Sequence, residues 1–72
     1  MTYNEINELL KNFYKETKVQ PGYLILPYAD YLDFVQKYNV DIYDPIFTIA
    51  TKYGRIYLEG REDVQEPIIL ES

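Results

Sequence analysis

Apolar residues return every three or four positions near the start of the chain, at Tyr3, Ile6, Leu9, Leu10, Phe13 and Tyr14. At about 100° per residue these share one sector with Thr17, while Glu8, Lys11, Asn12 and Lys15 lie opposite, so the spacing predicts an amphipathic helix over 3–17. Thr2 precedes Glu5 by three residues, the spacing at which each side chain satisfies the other's free backbone N–H. Pro21-Gly22 then breaks the pattern and turns the chain.

The period changes after that break. "YLIL", Tyr23 to Leu26, is a short unbroken apolar run between Pro-Gly and Pro27, which suits a strand buried on both faces. Pro27 fits the first turn of a following helix, where its missing N–H costs nothing. "YADYLDFVQKY" has helical spacing, with Asn39 as a left-handed stop. Val40 and Ile42 alternate with Asp41 and Tyr43 before a turn at Asp44-Pro45. "IFTIAT" (46–51) and "RIYLEG" (55–60) read as a hairpin joined by a three-residue loop, Lys52-Tyr53-Gly54, with glycine where φ is positive. A polar stretch leads to Pro67 and a final "IIL" strand, the proline standing at its start where no ladder bond is lost.

This order, α-β-α-β-β-β, predicts an α+β fold in two layers: a four-stranded mixed sheet with both helices on one face, forming a single domain over 1–72. If the first strand runs parallel to the one after the second helix, that crossover is right-handed.

Composition narrows the chemistry. With 72 residues and neither cysteine nor histidine, the chain has no disulfide, no thiolate metal site and no imidazole base to offer. A domain this small is marginal without some addition to its core, and a partner subunit is the addition left open, so a homo-oligomer, a dimer first, is expected. A net charge of −5 argues against nucleic acid, whose affinity comes chiefly from lysine and arginine. No apolar run approaches the roughly 20 residues that span a bilayer, and "MTYNEINELLKNFYKE" lacks a signal-peptide centre, so no membrane association and a cytoplasmic location are expected.

Asp30 and Asp33 share a face of the second helix, where paired carboxylates are able to hold Mg²⁺ or divide acid and base roles. A solvated face is the simpler reading, because both project opposite the apolar stripe and Lys37 follows Asp33 by four residues. Asp41 and Asp44 are explained by turn chemistry. Lys52 and Arg55 bracket the hairpin turn as ordinary surface cations. No glycine-rich phosphate loop or nucleophile elbow occurs, and the one serine is the final residue. No cofactor and no enzymatic activity are expected.

Nine tyrosines and three phenylalanines are more ring area than a small core closes over. On the second helix Leu32, Tyr28 and Val35 centre the apolar face, with Tyr31 and Tyr38 to one side and Phe34 further round. The arc is wider than the stripe of about 100° that packing on a sheet needs. Either these rings fold under the first helix and complete the same core, or they reach a partner; in that case Phe34, Tyr31 and Tyr38 are the expected contacts, with Tyr57 as a second surface on the hairpin and Asp30 and Asp33 as a polar rim that selects a basic protein.

The stretch "PGYLILPYADYLDFVQKY" (21–38) resembles a strand-to-helix segment of tailed-phage major capsid proteins, in which an apolar strand ends in proline and a helix begins with tyrosine. The resemblance implies a phage or mobile-element product and assigns no site. The function expected is a small non-enzymatic interaction module, a regulator or inhibitor that covers a partner's surface. A structural subunit of a virion or other assembly is the alternative, and a carboxylate enzyme using a metal the third.

Overall fold

The computed structural model describes residues 1–38 and 46–72, and the side chains of all of these except Ile46 and Phe47. Asn39, the alternation over 40–43 and the Asp44-Pro45 turn lie outside the described residues.

Helix α1 spans Tyr3–Thr17 and starts as its sequence requires. The Glu5 N–H donates to Thr2 Oγ1 and the Thr2 N–H to Glu5 Oε1, both at 3.2 Å, closing the capping box. Its other end was not legible in advance. Lys18 adopts a left-handed conformation, φ 59°, and donates its N–H to the Tyr14 carbonyl at 2.8 Å, a place usually taken by glycine. The buried stripe is narrower than its spacing suggested. Ile6 and Leu10 are fully enclosed, whereas Tyr14 stays 41% exposed.

Strand β1 runs Pro21–Pro27, longer at both ends than the apolar run, because it pairs with a neighbour on each side. Gly22 sits where the register shifts between Pro21 and Tyr23. Helix α2, Tyr28–Lys37, begins one residue after Pro27, which holds the N-cap place with extended backbone instead of entering the first turn. Since an N-cap donates no intrahelical bond, the proline is accommodated there equally well.

Strands β2 (Ile46–Thr51) and β3 (Gly54–Arg61) form the expected hairpin, and β4 (Ile68–Glu71) closes the chain. The hairpin loop is two residues long rather than three, since Thr51 pairs directly with Gly54. The Thr51 hydroxyl donates to the Gly54 carbonyl at 2.7 Å and accepts the Tyr53 N–H at 3.1 Å, while Gly54 takes φ 92°. Helix α1 and the connection after it hold the tip: the Lys52 N–H donates to Asn7 Oδ1 of the helix, and Gln20 Nε2, just before β1, to the Tyr53 carbonyl.

The sheet order is β2-β3-β1-β4, with β1 parallel to β3 and antiparallel to β4. The strand that follows α2 therefore goes to an edge, and it is the return strand of the hairpin that lies beside β1. Burial gives the reason: Ile56 and Leu58 of β3 are fully enclosed, as an inner strand demands. Leu24, Leu26, Ile49, Ile56 and Leu58 face the helices and join Ile6, Leu10, Tyr31, Phe34 and Val35 in one cluster. The fold is thus α+β, with the two helices on one face of a four-stranded mixed sheet.

Candidate interaction surface

The ring surplus expected on α2 is absorbed by the fold. Phe34 has no exposed surface and Tyr31 only 4%, which removes both from the surface on which a partner was expected. Two neighbours account for this. Tyr3, from the first turn of α1, packs edge-on against Phe34 at 5.0 Å between centroids and against Tyr38 at 4.7 Å, and Tyr38 meets Phe34 at 4.8 Å. The Tyr38 hydroxyl also accepts the Tyr3 backbone N–H at 3.2 Å, tying the start of α1 to the end of α2. Tyr31 lies across Gly60 of β3, so closely that a Cβ there would stand 2.6 Å from the Tyr31 Cβ. The width of the apolar arc on α2 thus reflects two contacts, one with the sheet and one with α1. Periodicity along one helix does not distinguish a second helix from an absent partner.

Tyr38 keeps its outer edge in water, at 36% exposure. Asp30 is half-buried and Asp33 is exposed. The Asp33 carboxylate pairs with the terminal ammonium of Met1, whose hydrogen bond and charge hold it below the usual carboxylate range, with Lys37 adding to the effect. Asp33 is therefore balanced within the chain. Among the described residues no group of three or more acidic side chains converges, and no acidic or basic side chain is buried. No helix is long and apolar enough to cross a membrane among the described residues.

Tyr57 lies elsewhere. It projects from β3 on the face of the sheet opposite the helices and is 52% exposed. The rim residues Asp30 and Asp33 belong to the helical layer, so the structure separates them from Tyr57 by the thickness of the sheet. The company of Tyr57 is set by strand register. Leu70, Tyr23, Tyr57 and Thr48 stand in one row across β4, β1, β3 and β2, and Ile68, Ile25 and Glu59 in the next. Side chains directly opposed on neighbouring strands share a face, about 5 Å apart. Ile68 is 42% and Leu70 48% exposed, and Tyr23 and Tyr57 stack at 5.7 Å.

Polar contacts bound this apolar centre at both ends. The Tyr23 hydroxyl donates to Glu59 Oε1 at 2.8 Å, and Arg61 makes a two-pronged contact with Asp63, at 3.0 and 2.8 Å, while lying 3.8 Å from Glu59. At the other end Arg55 Nε donates to Thr48 Oγ1 at 2.9 Å. Burial, and then the hydrogen bond to Glu59, push the Tyr23 hydroxyl above its ordinary value of 10.0. Among the described residues no helix covers this face. An apolar middle with a satisfied polar margin is the anatomy of a protein docking patch.

Sequence reading found Tyr57 and the "IIL" strand but not Tyr23, Ile68 or Leu70 as members of one surface. A three-residue apolar run carries no alternation from which to choose its outward face. Register with β1 makes that choice. No protein-family model, curated protein or solved structure matches the chain.

Proposed function

We propose that the protein is a non-enzymatic interaction module that docks onto another protein through the open face of its sheet and acts by covering the surface it binds. The row formed by exposed Leu70 and Tyr57 with half-buried Tyr23, opposite the face on which both helices pack and left open by the described residues, carries this reading. A side chain left in water on an otherwise well-filled domain has area to bury on binding, and tyrosine does so with little rotamer entropy to lose. The net charge of −5 steers association toward a basic protein.

The test places a photo-reactive benzoylphenylalanine at position 57 in the native host, with the same group at position 14, an exposed site in the helical layer beside Tyr53, as control. Crosslinked adducts from position 57 and none from 14 are expected. Adducts from position 14 with none from 57 would move the docking surface to the helices and end this reading. A structural subunit is the second reading, favoured by the apolar edge strand β4, and it requires light scattering to rise without limit as concentration increases.

A further inference from the structure

In the order β2-β3-β1-β4, β4 has a neighbour on one side only among the described residues. The Ser72 N–H donates to the Gln20 carbonyl at 3.0 Å, which directs the backbone groups of Ser72 inward. Alternate residues of an antiparallel strand point their N–H and C=O the same way. Leu70 and Ile68 therefore bond toward β1, opposite Tyr23 and Ile25, and Ile69 and Glu71 direct theirs outward.

We propose that β4 pairs antiparallel with β4 of a second copy about a twofold axis through Ile69, joining two four-stranded sheets into one of eight. The Ile69 amides and carbonyls of the two copies bond reciprocally, and each Glu71 N–H donates to the Pro67 carbonyl of the other copy. Pro67 lacks the N–H that would answer Glu71, but this falls at the end of the ladder where the Glu71 carbonyl stays in water. Residues directly opposed share a face, so Ile68 of each copy meets Leu70 of the other on the open side of the sheet. These are two of the most exposed aliphatic side chains among the described residues. Both docking faces then look the same way and form one continuous surface.

The sequence of β4 selects this register. Shifting each copy by one residue preserves as many backbone bonds but puts Ile68 opposite Ser72 and sets the charged Glu71 against Ile69. A further shift in the same sense brings Glu71 opposite Glu71. The Ile69-centred pairing makes two Ile68–Leu70 contacts on the open face, where the shifted register keeps a single Leu70–Leu70 contact, and it sets no acid against an apolar side chain of β4 or another acid. Among the described side chains the other edge, β2, presents Thr48 and Ala50 on that face, neither of them a large apolar residue. A four-residue edge buries less than the roughly 1,200 Å² of a stable interface, so the dimer is weak and forms only at high protein concentration.

The dimer goes beyond the docking reading and does not depend on it. Sedimentation equilibrium of the full chain from about 10 μM to 1 mM tests it. The mass should climb from 8.6 kDa toward twice that value and stop. Replacing the Ile69 amide hydrogen by methyl, in chain made by synthesis, should hold the mass at the monomer value with the melting temperature kept, since that N–H points away from β1. A mixture of Leu70→Lys and Ile68→Glu chains should form a heterodimer at least tenfold tighter than either variant forms with itself. A wild type that stays monomeric at 1 mM, undiminished association of the methylated chain, or no heterodimer preference would each overturn the proposal. Tyr57→Ala separates the two claims: it should leave the dimer intact and weaken docking.

Discussion

Truncating Phe34 to alanine removes a ring with no exposed surface, held between Tyr3 and Tyr38 at centroid distances of 5.0 and 4.8 Å. A buried Phe→Ala change costs about 3–5 kcal/mol in lost transfer energy and residual cavity. The two aromatic contacts, at about 0.5–1.5 kcal/mol each beyond area burial, place this site toward the upper end. At about 0.05–0.15 kcal/mol per residue, the whole domain has about 4–11 kcal/mol to lose. Phe34→Ala should therefore lower the melting temperature by about 12 °C or more, or leave the chain unfolded at 25 °C. Phe34→Leu keeps most of the volume and should cost about 1–2 kcal/mol, which leaves a folded protein to measure. Urea denaturation followed by far-ultraviolet circular dichroism reads both variants. A loss under about 1 kcal/mol for Phe34→Ala would show that the ring is not enclosed by Tyr3 and Tyr38, and would refute the account of how α1 absorbs the aromatic surplus.

Gly60→Ala should destabilise the domain by about 1–3 kcal/mol in the same assay, because the new methyl meets the base of the Tyr31 ring, which the α2 backbone holds in place. Lys18→Gly should raise stability by about 0.5–1 kcal/mol, since glycine takes the left-handed cap at no steric cost; an unchanged or lower midpoint would mean the strain at φ 59° is already relieved. The raised Tyr23 hydroxyl makes a pH prediction. A group whose proton is held more tightly when folded contributes stability that is full below the unfolded value near 10 and is lost as pH rises through the folded value. Glu59→Gln should bring the Tyr23 titration, followed by NMR, back toward 10 and reduce that alkaline loss; an unmoved titration would exclude Glu59 as a cause.

Local signals were sufficient for the elements. The Thr2–Glu5 spacing, the 3.6-residue recurrence over α1, the proline-bounded run of β1 and the glycine after Tyr53 each specify backbone conformation through interactions within a few residues. These features of the chain determined six elements in the right order and the two-layer class that follows from them. Composition likewise removes thiol and imidazole chemistry, since the chain has neither cysteine nor histidine.

Tertiary structure decided what those elements face. The apolar arc of α2 is wide enough to serve either a second helix or a partner, and the wall that closes over Phe34 is Tyr3, thirty-one positions earlier in the chain and brought across by the packing of α1 on α2. Strand order put β2 at an edge and made β3 the parallel neighbour of β1, and this stacked Tyr57 on Tyr23 rather than on any residue near it in sequence. The register of β4 turned Ile68 and Leu70 outward and Ile69 inward, a choice that an apolar triplet cannot express by itself. Amphipathic period records that a side chain avoids water; what it meets instead is set by contacts distant in sequence, and those exist only once the layers have come together.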